Sequence, residues 1–264
     1  MSPELAFLLS LALRMAVAAA FVVIASMITE RSGPAIGALI ATLPVSAGPS
    51  YIFLAIDQDD AFIAQSALAS LPMNAATVLM SLVFVSTVQR LGMLASLAAG
   101  LGIWLAGAAL VRAFEWSLLG GIALNAAAFV ICLPLAQRFR VARMPLVTSR
   151  WYDIPLRAAL VATLVAVVVT LSTIVGAKIS GVIALFPAVF TSLILILTPR
   201  IGGAATGAVL ANGQWGLIGF GLAIVVLHVA ALPLGRAAAL SLALATCVGW
   251  NLGLYVHGRR KQRT

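Results

Sequence analysis

Two arginines, two prolines and a small set of hydroxyl and carboxamide side chains are the residues in this chain whose types and spacing could do chemistry. Arg14 and Arg157 each stand inside a long apolar run, and each precedes a proline, Pro44 or Pro187, by 30 residues. A guanidinium in hydrocarbon costs at least about 2.5 kcal/mol on the insertion scale, so it must snorkel, bind a carbonyl or meet an anion. Those alternatives stay open, and the matched placement of the two arginines strengthens the anionic one. A proline in mid-span removes a backbone donor and frees carbonyls in the preceding turn. Around Pro44 the run Ser32 to Tyr51 is rich in Gly and Pro and brings Thr42, Ser46 and Ser50 close by. Both a discontinuous helix holding a substrate or ion and a plain packed kink fit that pattern. The matching run Ile179 to Pro187 reads smoother. Asn212 and Gln214 flank Gly213 just before Trp215. The candidate substrate-binding set is therefore Arg14, Thr42, Pro44, Ser46, Arg157, Pro187, Asn212 and Gln214. Gln65, Asn74, Asn125, His228 and Asn251 read as hydrogen-bonding residues at helix interfaces.

Other chemistries lack their parts. No Ser/His/Asp or Cys/His arrangement, carboxylate pair or phosphate loop is visible, and no acidic residue falls inside a span. The expectation is a non-enzyme with no catalytic residues and no cofactor. Cys132 and Cys247 sit in apolar runs without CxxC or Cys/His spacing, so neither a disulfide nor a metal site is expected.

The elements that must position these residues are membrane helices. Apolar residues make up 63% of the 264 and charged residues 9%, against about 45 to 50% and about 25% in soluble domains. The apolar stretches reach the roughly 20 residues that cross about 30 Å of hydrocarbon as a helix. They lack the alternation of a barrel strand. Nine spans are expected, at about Leu5 to Thr29, Gly33 to Ile56, Ala61 to Val88, Gly92 to Val111, Trp116 to Ala136, Ile154 to Val175, Ile179 to Leu197, Ile201 to Leu232 and Ala237 to Val256. The first is too long, and too poor in preceding basic residues, for a cleaved signal peptide. The third, with Pro72, and the eighth, with Asn212-Gly213-Gln214, each read as one tilted helix or two pieces.

The net charge of +9 would suggest nucleic acid in a soluble protein, but here the charges gather at span ends. One alternating set of ends holds Arg31, Arg90, Arg138, Arg140, Arg143, Arg150, Arg200, Arg259, Arg260, Lys261 and Arg263. The other holds Arg112, Lys178 and Arg236, with Asp57, Asp59, Asp60 and Glu115. Basic residues are retained on the cytoplasmic side, so the N-terminus is expected outside and the basic tail in the cytoplasm. The loop Gln137 to Arg150 and the tail Gly258 to Thr264 are expected to rest on anionic lipid. The bilayer is the expected partner, a small solute and a homo-oligomer are both admitted, and nucleic acid is not.

Shifting the chain by 143 residues aligns Arg14 with Arg157, Gly33 with Gly176, Ile36 with Ile179, Pro44 with Pro187 and Gly92 with Gly235, without a gap. The shift spans five helices, an odd number, so the two halves would enter the bilayer from opposite sides. The fold class expected is an all-α polytopic membrane protein of about nine transmembrane helices, in two inverted-topology repeats with proline-broken helices. Its parts are a first repeat over 1–136, a basic cytoplasmic linker over 137–153 and a second repeat with the tail over 154–264. Inverted repeats that hold a substrate near the midplane, at broken helices, are the architecture of many secondary transporters. A small transporter or channel for an anionic or lipid-linked solute is the leading expectation. A membrane scaffold for envelope polysaccharide or lipid assembly is the alternative.

The second half carries the runs I-S-G-V-I-A-L-F-P, Ile179 to Pro187, Trp215 with Leu217 and Ile218, and A-L-A-T-C-V-G-W, Ala243 to Trp250. It resembles the GlpM-like family of small bacterial inner-membrane proteins over about Ile174 to Tyr255. Members look like one unit of about four spans, so the chain is similar to two such units fused. The resemblance implies an inner-membrane, envelope setting and brings no catalytic residues or substrate.

Overall fold

The computed structural model describes residues 3–31, 44, 47–140 and 150–261. Thr42, Ser46 and most of the basic linker lie outside the described residues. Among the described residues seven helices follow in order: α1 Pro3–Arg31, α2 Ala47–Asp57, α3 Asp60–Ala113, α4 Leu118–Gln137, α5 Asp153–Ala184, α6 Ala188–Leu234 and α7 Arg236–Lys261. Among the described residues there is no strand. Four helical stretches, Asp60–Ala113, Leu118–Gln137, Asp153–Leu234 and Arg236–Gly258, are long and apolar enough to cross a membrane. Large apolar side chains such as Leu13, Leu94, Leu119, Val130 and Ile174 point outward, as they must where the solvent is lipid.

Side-chain caps start two of the helices. Asp59 accepts a hydrogen bond from the Phe62 N–H at 2.7 Å and Ser117 accepts one from Gly120 at 3.1 Å, each satisfying an orphan donor of the first turn. Interruptions come from glycine. α3 breaks at Gly92 (φ 76°), α5 at Gly176 (φ 74°) and α6 at Gly202 (φ 79°), while Gly235 (φ 78°) separates α6 from α7. These left-handed conformations strain any residue with a Cβ.

Both questionable long spans are single pieces. α3 runs unbroken over 60–91 through Pro72, and α6 over 203–234 through Asn212, Gly213 and Gln214. At 1.5 Å per residue each is about 48 Å long, more than the hydrocarbon thickness, so each must tilt or project beyond it. The span expected over Ile179 to Leu197 is not smooth. α5 ends at Ala184, Leu185 turns out of helical geometry (φ −92°, ψ 12°), and α6 starts afresh after Pro187. Pro187 has no N–H to continue the ladder, and its ring disfavours helical geometry in Phe186 before it.

The long pieces of α3 and α6 form the most extensive helix pair and run antiparallel. Gly203 packs on Val88 at one end, and the Arg236 N–H reaches Asp60 at the other. α4, α5 and α7 surround this pair, and α1 packs on α5 through Ala18 and Val22 against Val161, Val165 and Val169. Contacts recur at the 143-residue offset. Ala76 packs on Gly107, and Gly219 on Trp250. Val85 packs on Gly207, while the counterparts of that pair, His228 and the Ala64 carbonyl, hydrogen bond at 2.7 Å. Asn74 donates to the carbonyl of Leu217, its own counterpart 143 residues on.

Candidate functional site

One face of α3 carries Ser66, Ser70, Asn74, Thr77 and Ser81 at spacings of four, four, three and four, the period that lines residues up along a helix. All five are buried, and a buried polar group in hydrocarbon needs a partner. The first two reach α5, which lies close because Gly181 has no side chain: Ser66 donates to the Ala177 carbonyl at 2.9 Å and Ser70 to the Gly181 carbonyl at 2.8 Å. Tyr51 of α2 meets the Ser70 hydroxyl at 2.6 Å. Asn74 donates to the Asn125 side chain at 2.9 Å and to Leu217 at 3.1 Å, and Asn125 donates to the carbonyls of Leu71 and Gly121. Gln214 of α6 donates to Ser81 at 3.2 Å. The seam thus ties α2, α4, α5 and α6 to α3, with Asn74 halfway along the long piece of α3.

Not every atom of the seam is satisfied. The Asn74 Oδ1 and Gln214 Oε1 atoms of the seam, and the Thr191 Oγ1 atom of α6 outside it, are buried and find no partner among the described residues. Such atoms cost about 1–3 kcal/mol each.

A cavity of about 370 Å³ lies beside Pro44. Ala47 and Tyr51 of α2, Ile224 and Leu227 of α6, and Leu240 and Ala243 of α7 line it. The positions 143 residues away from this wall form a second set that includes Pro187, and larger side chains stand at some of them. Met80 stands where the cavity has Ala223, and Phe190 where it has Ala47. Met80, Ile194 and Leu97 are buried, and a Cβ on Gly100 would lie 3.1 Å from the Met80 side chain.

Charges close the two ends. At the end marked by Asp57 and Glu115, both Arg14 terminal nitrogens grip the Asp57 carboxylate, one at 2.7 Å. Arg14 also lies 5.8 Å over the Phe53 ring. Lys178 pairs with Glu115 at 2.9 Å and Arg236 with Asp60 at 3.3 Å. At the opposite end Arg200 grips Asp153 with both terminal nitrogens, each side chain only 8% exposed. The Tyr152 phenol beside them is pulled below its usual pKa by Arg200 and Arg150. Arg157 follows Asp153 by one turn of α5.

The sequence-derived candidates therefore separate. Arg14 and Arg157 stand at opposite ends of the bundle, the first held by a carboxylate that sequence reading did not pair with it. Pro44 lines the cavity, and Pro187 caps α6. Asn212 accepts from Arg140 at 2.7 Å and donates to its own helix, while Gln214 turns inward to Ser81. Asn74 and Asn125 are the buried centre of the seam, and His228 binds across a helix interface. Sequence reading missed the Ser66–Ser81 stripe, although its helical period was there to find.

No family model, no curated protein and no solved structure matches this chain.

Proposed function

We propose that this chain is a small secondary transporter built from two inverted halves of about nine spans in all, with cargo binding beside the helix breaks at Pro44 and Pro187. Three things support the inverted halves. The four positive-φ glycines among the described residues include the pair Gly92 and Gly235, 143 residues apart. Contacts such as Ala76–Gly107 and Gly219–Trp250 recur at the same offset. Asn74 touches its own counterpart near Leu217, and a residue meets its counterpart only where a two-fold axis passes. The axis would lie in the membrane plane, at the depth where such transporters hold substrate.

The observation that carries the transport reading is the inequality of the two breaks. Beside Pro44 there is a cavity, and at the equivalent wall positions 143 residues away the larger Met80 and Phe190 stand in place of Ala223 and Ala47. Inverted halves held in unequal conformations are what alternating access around one site requires. The buried Gln214 and Thr191 atoms that find no partner among the described residues lower the cost of opening the bulkier side, because hydration would satisfy them. We read the membrane as a bacterial inner membrane, the acidic end as outside and the basic end as cytoplasmic and resting on anionic lipid, in line with the charge distribution and the GlpM-like resemblance.

Gly249 and Gly253 are exposed on α7 with nothing within 4 Å of either, a small-xxx-small spacing that suits helix association. That favours a second reading, a membrane scaffold that binds another helix for envelope assembly. A strain lacking the gene, profiled for intracellular and exported metabolites, separates the two. Transport predicts a compound whose accumulation is reversed by the wild-type gene but not by Ala223→Phe, which fills the cavity. An unchanged metabolite profile with altered envelope polymer, restored by Ala223→Phe as well as by wild type, contradicts transport and supports the scaffold.

A further inference from the structure

We infer that the cavity beside Pro44 takes the hydrocarbon chain of a single-chain anionic lipid, with its head group at Arg236. The inference deepens the transport reading and rests on it. The wall explains the chain. Its described lining is apolar except for two hydroxyls, and both are already engaged: Tyr51 with Ser70 at 2.6 Å and Ser241 with the Ala237 carbonyl of its own helix at 3.0 Å. A sugar, an amino acid or a hydrated ion would leave its polar groups bare there, whereas hydrocarbon loses nothing. Access is from the side. Phe21, Ile52 and Leu244 belong to the wall and are about half exposed on the lipid-facing surface, at 47%, 48% and 51%. A volume of about 370 Å³ lies near the lower end of the roughly 300–1,000 Å³ typical of ligand sites, which suits one chain better than two.

The head group follows from the charges at the near end. Arg236 opens α7 and directly precedes Ala237 of the wall. Its side chain is 40% exposed and is held to Asp60 by one long contact of 3.3 Å. Arg14, seven residues before Phe21 on α1, already holds Asp57 with both terminal nitrogens, whereas the more exposed Arg236 makes one long side-chain contact and keeps donors to offer. The counterpart positions hold no equivalent set of residues. Leu94 replaces Ala237, Met93 replaces Arg236, and Met80 replaces Ala223.

The full-length protein in phosphatidylcholine nanodiscs tests this with palmitate carrying a diazirine near the end of its chain, and with the matching long-chain alcohol as a neutral probe. After irradiation, label from the acid is expected in the segments 47–52 and 237–244. Ala223→Phe should reduce it about tenfold, and Leu244→Trp, at the half-exposed edge of the wall, gives the same test without touching the buried core. Arg236→Gln should bring the acid down to the level of the alcohol. Label spread evenly over the lipid-facing helices, label unaffected by both filling variants, or equal capture of acid and alcohol by the wild type would each overturn the inference. Capture needs only the cavity and Arg236, whereas the metabolite profile needs no lipid probe. Evenly spread label with a transport phenotype removes the lipid and keeps the transporter, and specific label without a transport phenotype does the reverse.

Discussion

Replacing Gly181 with alanine puts a methyl group where the α3 backbone already stands. A Cβ on Gly181 would lie 2.0 Å from the Ser66 carbonyl oxygen and 2.7 Å from its carbon, whereas carbon and oxygen pack at about 3.3–3.6 Å. Both obstacles are backbone, so no rotamer change relieves them, and the last turns of α5 must move off α3 by more than an ångström. Two hydrogen bonds go with that move, Ser66 to Ala177 at 2.9 Å and Ser70 to Gly181 at 2.8 Å. Overpacking costs about 1–3 kcal/mol, and interhelical bonds in membranes are worth about 0.6 kcal/mol each. The total is about 2–4 kcal/mol, read as a lower unfolding midpoint in a denaturing-detergent titration. Gly253→Ala is the control. Its Cβ meets nothing within 4 Å on the exposed face of α7, so it should stabilise by up to about 1 kcal/mol through helix propensity. If Gly181→Ala is as stable as wild type, the close approach of α5 to α3 is wrong, and with it the placement of the Pro187 break.

Asn74→Leu removes two donated bonds and leaves the Asn125 Oδ1 atom bare, so a loss of about 1–3 kcal/mol is expected in the same titration. Adding Asn125→Leu should cost less than the sum of the two single changes, by about 0.6–1.7 kcal/mol, because the pair is one unit. Asp153→Asn strands Arg200 in a site where both side chains are 8% exposed and should cost about 3–5 kcal/mol. The double variant Asp153→Leu with Arg200→Met should recover much of that stability, which a purely surface pair would not do.

Helix placement was legible in this sequence because hydrocarbon leaves the backbone so little choice. Apolar length set the pieces, and the glycines at 92, 176, 202 and 235 mark breaks close to the expected span edges. Pro72 left both one tilted helix and two pieces open, and the helix runs through it because a helix packed among neighbours in the membrane tolerates a proline. At Pro187 a proline-broken helix was expected, but not the extent of the break, because Leu185 and Phe186 leave the helix with it and nothing in their side chains announces that. The site was less legible than the fold. Arg14 and Asp57 are 43 residues apart, and Arg200 and Asp153 are 47 apart, so only tertiary packing pairs them. The stripe Ser66, Ser70, Asn74, Thr77, Ser81 was readable by its period, but small hydroxyl residues are so common in membrane helices that the period alone did not single it out. The cavity depends on Ala223 standing where the other half has Met80, a difference of volume with no sequence motif attached.

Inversion of the two halves is the premise on which the functional account stands, and thiol accessibility tests it directly. Gln58 and Ile201 are counterparts at the 143-residue offset, each partly exposed next to a break between helices. With the buried Cys132 and Cys247 replaced by serine, single cysteines at these positions are exposed to a membrane-impermeant maleimide, first on intact cells and then after permeabilisation. The account predicts that Gln58→Cys reacts in intact cells and Ile201→Cys only once the membrane is opened. Reaction of both from the same side would contradict it.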